Sequence, residues 1–276
     1  MPELPEVETV KNTLKECILN KTIKDIKIFY NKIIDNKTEE DFKNSLINQT
    51  FLDIQRRGKY LIFILNDYYL ISHLRMEGKY FLMHDEDYSK HDHIVFIFDD
   101  SNLRYNDTRK FGRMFLYSKK EYNNILDLRR SKALKNVGKE VFDDDIDANY
   151  LLSKLKNSRP IKTSLLDQSI IAGLGNIYVD EVLFMCKIHP LKKSSDVTKD
   201  EAINIINNSI VVLNKAIKLG GTTIRSFESS HGISGRFQNE LLVHTKTICP
   251  ICNSNIEKIR VGGRGTYLCP KCQKIK

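Results

Sequence analysis

The amino-acid sequence predicts an α+β protein of two domains, in which a helix and an antiparallel β-sandwich precede a helical half that ends in a hairpin. Three observations support this prediction. Short runs rich in Ile, Phe and Tyr fill residues 22–117 and alternate as half-buried strands do. Helical spacing of apolar residues replaces them from about residue 147. The chain of 276 residues also exceeds the usual size of one domain.

The first helix is predicted to begin near Pro5, because proline suits the first turn of a helix. Glu6 and Glu8 then lie near the positive end of the helix dipole. Residues 1–4 are therefore expected to form an extended tail. The buried stripe of this helix is predicted to consist of Val7, Val10, Leu14 and Ile18.

Short polar connections separate the strand-like runs, as at Asn66-Asp67 and at residues 100–102. Such connections join antiparallel strands, so a sandwich is favoured over a parallel sheet. The charged stretch from Lys119 to Asp147 is the candidate linker to the helical half.

Four helices are predicted in the second half, at about 147–156, 163–169, 176–186 and 199–218. The last has the clearest limits, because a capping box of Thr198 and Glu201 opens it and Gly220-Gly221 closes it. A segment rich in Gly, Ser and Thr follows and is expected to form a loop.

The formal net charge of +9 favours a polyanionic partner. No apolar stretch is long enough to span a bilayer, and the N-terminus lacks the regions of a secretion signal. We therefore expect a cytoplasmic protein without membrane contact, whose cysteines stay reduced. Cys17 and Cys186 stand alone in apolar segments and are expected to be core thiols.

The strongest chemical motif is a pair of Cys-Pro-x-Cys knuckles. Their spacing suits a β-hairpin that brings four thiolates around one tetrahedral Zn²⁺. Four protein ligands leave no open position for water, so the predicted ion is structural. The predicted ligands are Cys249, Cys252, Cys269 and Cys272.

Two further motifs suit phosphate binding. Glycines precede Arg264 in a turn between the knuckles, and Gly175-Asn176 precedes a predicted helix. Each also has an ordinary explanation, as an exposed hairpin turn and as a helix cap, and neither segment alone decides the question.

Five segments resemble formamidopyrimidine-DNA glycosylase, and they occur in the family's order along the whole chain. They are MPELPEVETV at the start, RRGKYL at 56–61, DTRKFG at 107–112, GNIY at 175–178 and GRGTYLCPKCQ from residue 263. The resemblance implies a bifunctional DNA glycosylase and AP lyase of base-excision repair, which acts on double-stranded DNA that contains oxidised purines.

The resemblance also implies catalytic residues. Pro2 would be the nucleophile once Met1 is removed, and the iminium it forms at C1′ would permit β- and δ-elimination. Glu3 would protonate the opening sugar, Lys59 would hold the lesion phosphate and assist proton transfer, and Arg264 would assist δ-elimination. From the residues alone, Pro2 and Glu3 could equally be a helix lead-in.

Met76, Arg109 and Phe111 match the family's set of residues that fill the space left by an extruded base. The alternative is that Met76 and Phe111 belong to the sandwich core. Arg75 and Glu77 stand where many members have Gly and Ser, so Glu77 could instead meet the flipped base. Predicted contacts with the DNA backbone are His73, His91, Lys162, Asn176 and Arg264.

The resemblance divides the chain into four parts and implies that the protein binds DNA at the bacterial nucleoid. Nothing in the sequence suggests an oligomer, so a monomer is expected. The predicted parts are a catalytic sandwich domain at 1–133, a helix-two-turn-helix domain at 134–220, a lesion-capping loop and connection at 221–243, and a zinc hairpin at 244–276. Two other functions stay open at this point: an endonuclease VIII-like glycosylase for oxidised pyrimidines, and a non-catalytic zinc-containing protein that binds DNA.

Overall fold

The computed structural model describes residues 1–222 and 235–275, which form two compact units. The first contains residues 1–135, and the second begins at Asn136. Residues 223–234 of the predicted lesion-capping loop lie outside the described part of the chain. None of the described helices combines the length and the apolar character needed to cross a bilayer.

Helix α1 (Leu4–Ile18) begins one residue earlier than predicted. Glu3 takes the N-cap position in an extended conformation, and its backbone N–H donates to Oε2 of Glu6 at 2.9 Å. Helix ends need such acceptors because their first N–H groups have no partner within the helix. The predicted stripe of Val7, Val10, Leu14 and Ile18 is buried.

The first unit contains the predicted antiparallel sandwich. One sheet has the strand order β1-β6-β7-β5 and the other has the order β2-β3-β4-β8. Phe63 of one sheet packs edge-on against Tyr80 of the other, with ring centroids 5.6 Å apart. The strands are β1 (Asp25–Ile28), β2 (Asp53–Arg57), β3 (Tyr60–Ile64), β4 (Tyr68–His73), β5 (Lys79–Met83), β6 (Asp92–Ile97), β7 (Asn102–Asn106) and β8 (Arg113–Ser118).

Helix α2 (Glu39–Leu46) between β1 and β2 was not predicted. Its signal was present, because the Thr38 side chain accepts a hydrogen bond from Asp41 N at 3.0 Å as an N-cap does. Phe42 and Leu46 lie four residues apart and are both buried. A single helical turn of apolar spacing inside a long β-type region is easily overlooked.

The second unit contains the predicted helices and hairpin. Helix α6 has the predicted limits, and its capping box of Thr198 and Glu201 is formed. Helix α4 overlaps only the first part of the predicted segment 163–169, because it begins at Ile161 and ends at Leu165. Its early end is explained by Asp167, whose side chain accepts from Ser169 N at 3.0 Å and turns the chain. The elements are α3 (Ala148–Lys154), α4 (Ile161–Leu165), α5 (Asn176–Met185), α6 (Lys199–Lys218), β9 (Glu257–Val261) and β10 (Arg264–Leu268).

Candidate active site and zinc centre

The start of the chain is held by the first turn of α1. The Glu3 side chain is only 4% exposed, and Pro2 next to it is half-buried. Because Glu6 fixes the backbone N–H of Glu3, the peptide that joins Pro2 to Glu3 has a defined orientation. The helix cap therefore holds the backbone directly next to Pro2 in place.

The turn between β2 and β3 is tied to α1. Arg57 pairs with Tyr60, which leaves Gly58 and Lys59 as the two turn residues. Arg56 donates to Gly58 O at 2.9 Å and to Oε2 of Glu8 in α1 at 2.8 Å. Lys59 is only 4% exposed, although lysine on a hairpin turn is normally solvated. The buried ammonium group of Lys59 therefore lies in the same compact unit as Pro2 and Glu3.

His73 ends strand β4 as a neutral imidazole. Its Nδ1 accepts a hydrogen bond from Arg75 N at 2.9 Å, so the proton is assigned to Nε2. Burial, followed by the positive charges of Arg75 and Lys59, lowers the pKa of His73 to about 3. The ring stands edge-on to Tyr60, with centroids 4.4 Å apart. His73 can therefore offer one fixed N–H donor without carrying a charge.

Met76 lies in the turn that connects β4 of one sheet to β5 of the other. Arg75 adopts a φ of 53°, and Gly78 N donates to Leu74 O at 2.9 Å to close the turn. Met76 is half-buried, and Arg75 and Glu77 are exposed. Met76 is not part of the buried core cluster, so the alternative that it is ordinary core is excluded.

Asp107 organises the loop that carries Arg109 and Phe111. The carboxylate is fully buried and accepts hydrogen bonds from the backbone N–H groups of Arg109, Phe111 and Gly112, each at 2.9 Å. Its own backbone N–H donates to His91 O at 3.0 Å. Asp107 belongs to the DTRKFG motif at 107–112, but its role as an anchor was not predicted.

Arg109 and Phe111 project together from this loop. The guanidinium carbon of Arg109 lies 4.7 Å from the centroid of the Phe111 ring, which is a cation–π contact. Phe111 is 48% exposed, so the alternative that it belongs to the sandwich core is also excluded. Arg109 is exposed as well, so the loop presents an apolar ring and a cation to solvent together.

In the second unit, Arg264 follows a turn made of two glycines. Gly262 and Gly263 have φ values of 55° and 79°, which suit a type I′ turn. A Cβ atom at Gly262 would lie 2.7 Å from Oγ1 of Thr163, so the turn packs closely on α4. The Arg264 side chain is exposed at the start of β10.

Asn176 lies next to this turn. Gly175 is the N-cap of α5, so Asn176 is the first helical residue and not the cap that the sequence suggested. Its Nδ2 donates to Gly265 O at 3.0 Å, which brings Asn176 beside Arg264. The two candidate phosphate-binding motifs, which the sequence treats separately, therefore lie side by side in the second unit.

The position of Lys162 contradicts its predicted contact with the DNA backbone. Its side chain is fully buried and donates to Oδ1 of Asp180 at 2.7 Å and to Oγ1 of Thr266 at 2.8 Å. Asp180 also accepts from Tyr267 N and contacts Nδ1 of His244 at 2.8 Å. The prediction that Lys162 contacts the DNA backbone is wrong, because its ammonium group has no exposed surface and joins α4 to α5 and the hairpin.

Two carboxylates in α5 were missed by the sequence analysis. Asp180 and Glu181 are both buried in a helix whose other residues are largely apolar. Glu181 accepts the backbone N–H groups of residues 242, 243 and 244, at 2.7, 3.0 and 2.8 Å. Burial raises the pKa of Glu181, although these three bonds oppose the increase. Adjacent acids inside an apolar helix were the available signal.

The four predicted zinc ligands converge. Their Sγ atoms all lie within 4.8 Å of one another, with Cys249 and Cys272 at 3.9 Å and Cys252 and Cys269 at 3.4 Å. Tetrahedral Zn²⁺ with a Zn–S bond of about 2.3 Å requires sulfurs about 3.8 Å apart. The observed spacing fits one structural zinc ion.

The chemistry of the four thiols also suits a cation. Burial, followed by the neighbouring cysteine side chains, raises the pKa of Cys272 to about 12. A divalent cation among the sulfurs would replace such a proton and stabilise the thiolates. The cluster packs against Phe184 and Val243, which anchors the hairpin to the second unit.

Comparison with known families agrees with this architecture. Residues 1–114 match the formamidopyrimidine-DNA glycosylase N-terminal domain, residues 137–228 match its H2TH domain, and residues 249–275 match a zinc finger found in FPG and IleRS. The fold and the two sets of side chains thus define a DNA glycosylase that combines a β-sandwich, an H2TH domain and a zinc finger.

Individual relatives agree over their full length. Formamidopyrimidine-DNA glycosylase of Oceanobacillus iheyensis is 48% identical, with 100% of this chain and 99% of the relative covered, and that of Exiguobacterium sibiricum is 46% identical with the same coverage. A Lactococcus lactis FPG variant, solved with DNA that contains Fapy-dG, matches with a TM-score of 0.90 and 42% identity over 99% of this chain and 100% of the other. The chain belongs to the formamidopyrimidine-DNA glycosylase family.

Replacing one zinc ligand should abolish stoichiometric metal binding. We expect one zinc ion per wild-type chain and a large loss of zinc in Cys269→Ser, because three thiolates hold the ion far less tightly than four. Atomic emission on the dialysed proteins measures this. Cys17→Ser, outside the cluster, is the matched control, and equal zinc contents in the two variants would contradict the site.

Acid should destabilise the protein partly through His73. Its folded pKa of about 3 lies below the usual unfolded value of about 6.5, so between these values only the unfolded chain binds the proton. The free energy of unfolding should therefore fall as the pH falls through this window, by up to about 1.4 kcal/mol per pH unit.

The measurement is urea denaturation of wild type and His73→Asn between about pH 7 and pH 5. The variant should lose less stability than wild type, whereas His84→Asn, at an exposed histidine, should follow the wild-type profile. Parallel profiles for all three proteins would refute the assignment of a neutral, buried His73.

Lys162→Met should be strongly destabilising. It leaves the buried Asp180 carboxylate without its ammonium partner, which costs about 3–5 kcal/mol of unfolding free energy. Arg264→Gln removes an exposed charge and should cost less than about 0.5 kcal/mol. Urea denaturation measures the free energy of unfolding of both variants. Similar small losses in the two would contradict the buried ion pair of Lys162 and Asp180.

Proposed function

We propose that the protein is a bifunctional DNA glycosylase and AP lyase of base-excision repair, which removes oxidised purines such as 8-oxoguanine and formamidopyrimidines from double-stranded DNA. The observation that carries the proposal is the start of the chain, where Pro2 and the buried Glu3 precede a capped helix that is tied to the Lys59 turn. Lactococcus lactis FPG has been solved with DNA containing Fapy-dG and with DNA containing an abasic site.

Pro2 is the proposed nucleophile. Removal of Met1 converts its nitrogen from an amide to a secondary amine, and α-amines titrate near about 7.7–8.0, so part of the population is unprotonated at neutral pH. The amine attacks C1′ of the nucleotide while the C1′–N bond to the base breaks and the base leaves with that electron pair and a proton. The amine then loses its proton, the C1′–O4′ bond breaks as O4′ takes up a proton, and the opened sugar carries an iminium at C1′.

The iminium makes the C2′ proton acidic. Its loss breaks the C3′–O bond by β-elimination, and a second elimination breaks the C5′–O bond. Both leaving groups are phosphates, so the strand is cut on each side of the sugar. Water then hydrolyses the conjugate and regenerates Pro2. One covalent intermediate thus serves both base removal and strand cleavage.

Glu3, Lys59 and Arg264 are proposed to assist these steps. A buried carboxyl beside the nucleophile is placed to protonate O4′ as the sugar ring opens. The buried Lys59 ammonium would bind the lesion phosphate and move protons. Arg264, exposed at the zinc hairpin, would bind phosphate and assist δ-elimination.

The remaining site residues are proposed to bind DNA. Met76 and Phe111 are exposed enough to enter the base stack, and the guanidinium of Arg109 can bind the edge of the unpaired base. His73 would offer its single N–H to a phosphate, and His91 and Asn176 would add further backbone contacts. Such contacts give affinity and register without reading sequence.

We further propose the four-part division at 1–133, 134–220, 221–243 and 244–276, with the segment 221–243 covering the extruded base. Because it would act on chromosomal DNA, we propose that the protein is found at the nucleoid of the bacterial cytoplasm. We also propose that it is a monomer. These proposals rest on family membership.

Borohydride trapping tests the mechanism. The Met1-processed protein is incubated with a duplex that contains either 8-oxoguanine opposite cytosine or a preformed abasic site, and mass spectrometry locates the reduced adduct. Wild type should be trapped at Pro2 on both substrates. Glu3→Gln should lose about 100-fold in release of 8-oxoguanine because it lacks the acid, yet still be trapped on the abasic duplex, where no base needs to leave.

Each other outcome identifies a different function. An adduct on a lysine would exclude Pro2 as the nucleophile. Trapping only on oxidised pyrimidines would indicate an endonuclease VIII-like enzyme. Binding to both duplexes with no adduct would indicate a DNA-binding protein without catalysis.

A further inference from the structure

One phenol oxygen lies between the two loops that carry Met76, Arg109 and Phe111. The Met76 turn ends at Gly78, and the Asp107 loop ends at Gly112. A Cβ atom built on Gly78 would lie 2.4 Å from the hydroxyl oxygen of Tyr105, and one on Gly112 would lie 1.6 Å from the same atom. The Tyr105 hydroxyl thus occupies the side-chain space of both glycines.

Both loops cross from one sheet of the sandwich to the other. The Met76 turn joins β4 to β5, and the Asp107 loop joins β7 to β8. In each loop a residue other than glycine takes a positive φ directly before an apolar side chain, with Arg75 at 53° before Met76 and Lys110 at 57° before Phe111. Such conformations persist only where the surroundings enforce them.

Tyr105 is suited to enforce them. It lies in β7 with no exposed surface, and its hydroxyl donates to Oδ2 of Asp107 at 3.4 Å. Burial, followed by the negative charge of Asp107, raises the pKa of Tyr105 far above its usual range, so the hydroxyl keeps its proton and remains a donor. The same Oδ2 accepts the backbone N–H groups of Phe111 and Gly112.

We propose that Tyr105 is a positioning residue for base extrusion, because its hydroxyl sets the separation between the Met76 turn and the loop of Arg109 and Phe111. The three side chains then enter the duplex as one rigid set. This inference rests on the proposed function, in which these side chains fill the space of the extruded base. Tyr105 itself touches neither DNA nor the reacting atoms.

Tyr105→Phe removes only the oxygen, and Tyr80→Phe is the matched control. Tyr80 is also fully buried, its ring lies 5.3 Å from that of Tyr105, and its hydroxyl donates to Oγ of Ser72 at 2.8 Å. Both variants lose one buried hydroxyl from the same aromatic cluster. Only Tyr105→Phe loses the contact with the two loops.

Two substrates separate positioning from chemistry. One is a duplex with 8-oxoguanine opposite cytosine, where the base must be extruded, and the other is a single strand with a preformed abasic site, where it need not be. Tyr105→Phe should lose about ten- to a hundredfold in single-turnover base release from the duplex. Its cleavage of the single strand, and both activities of Tyr80→Phe, should stay within about twofold of wild type.

Gly78→Ala provides a second variant outside the sandwich core. Its added Cβ would meet both the Tyr105 hydroxyl and Leu74 O, so it should displace the Met76 turn and reproduce the substrate-selective loss. Unchanged duplex activity in Tyr105→Phe would overturn the proposal. Equal losses on both substrates, together with a lower melting temperature than Tyr80→Phe, would also overturn it, because they indicate a structural role alone.

Met76→Ala separates a failure of this inference from a failure of the proposed function. If wild type is active and Met76→Ala loses duplex activity while Tyr105→Phe does not, only the role of Tyr105 is refuted. If Met76→Ala retains full duplex activity, the glycosylase function stands, but the void-filling role of Met76 fails and the inference fails with it. If wild type cleaves neither substrate, the proposed function itself fails.

Discussion

The capture of backbone N–H groups by a buried carboxylate is the interaction on which the functional segments depend. Asp107 binds three such groups in the loop of Arg109 and Phe111. Glu181 binds three more in residues 242–244, just before the zinc hairpin. Glu6 binds the N–H of Glu3 at the start of the chain. A buried carboxylate is costly unless several donors satisfy it, so each cluster strongly favours one loop conformation.

A buried carboxylate keeps the backbone of a loop rigid while the side chains of that loop remain exposed. Side chains that meet DNA must project into solvent, where few contacts can hold them. Phe111 is 48% exposed, yet its own backbone N–H is bonded to the fully buried Asp107. The loop therefore loses little conformational entropy when it binds, because its backbone is already ordered in the free protein.

Sequence patterns predicted the elements well where local rules dominate. The capping box and closing glycines gave the limits of α6, and the spacing of the cysteines gave the zinc ligands. Helix α2 was missed because its single apolar pair, Phe42 and Leu46, lies within a region of β-type periodicity. Local patterns thus identify long or strongly marked elements and pass over short ones.

The burial of Lys162 could not be predicted from local sequence patterns. A motif gives the residue type and its position, but the direction of the side chain depends on partners distant in sequence. Asp180 and Thr266 are 18 and 104 residues away from Lys162, and only the folded chain brings them together. Adjacent acids in an apolar helix mark Asp180 and Glu181 as unusual, but they do not reveal the partners. Asp107 and Glu181 bind backbone N–H groups, which leave no trace in the sequence.

Lys162 and the zinc site both fix the position of the C-terminal hairpin. The knuckles fix the base of the hairpin, whereas Lys162 and Asn176 both donate to Gly265 O near its turn, at 3.2 and 3.0 Å. Arg264 precedes Gly265, so it stands on an element held at both ends. A long, flexible side chain binds a phosphate more tightly when its backbone cannot move. The zinc site and the buried lysine therefore both hold the hairpin that carries Arg264, the proposed phosphate ligand.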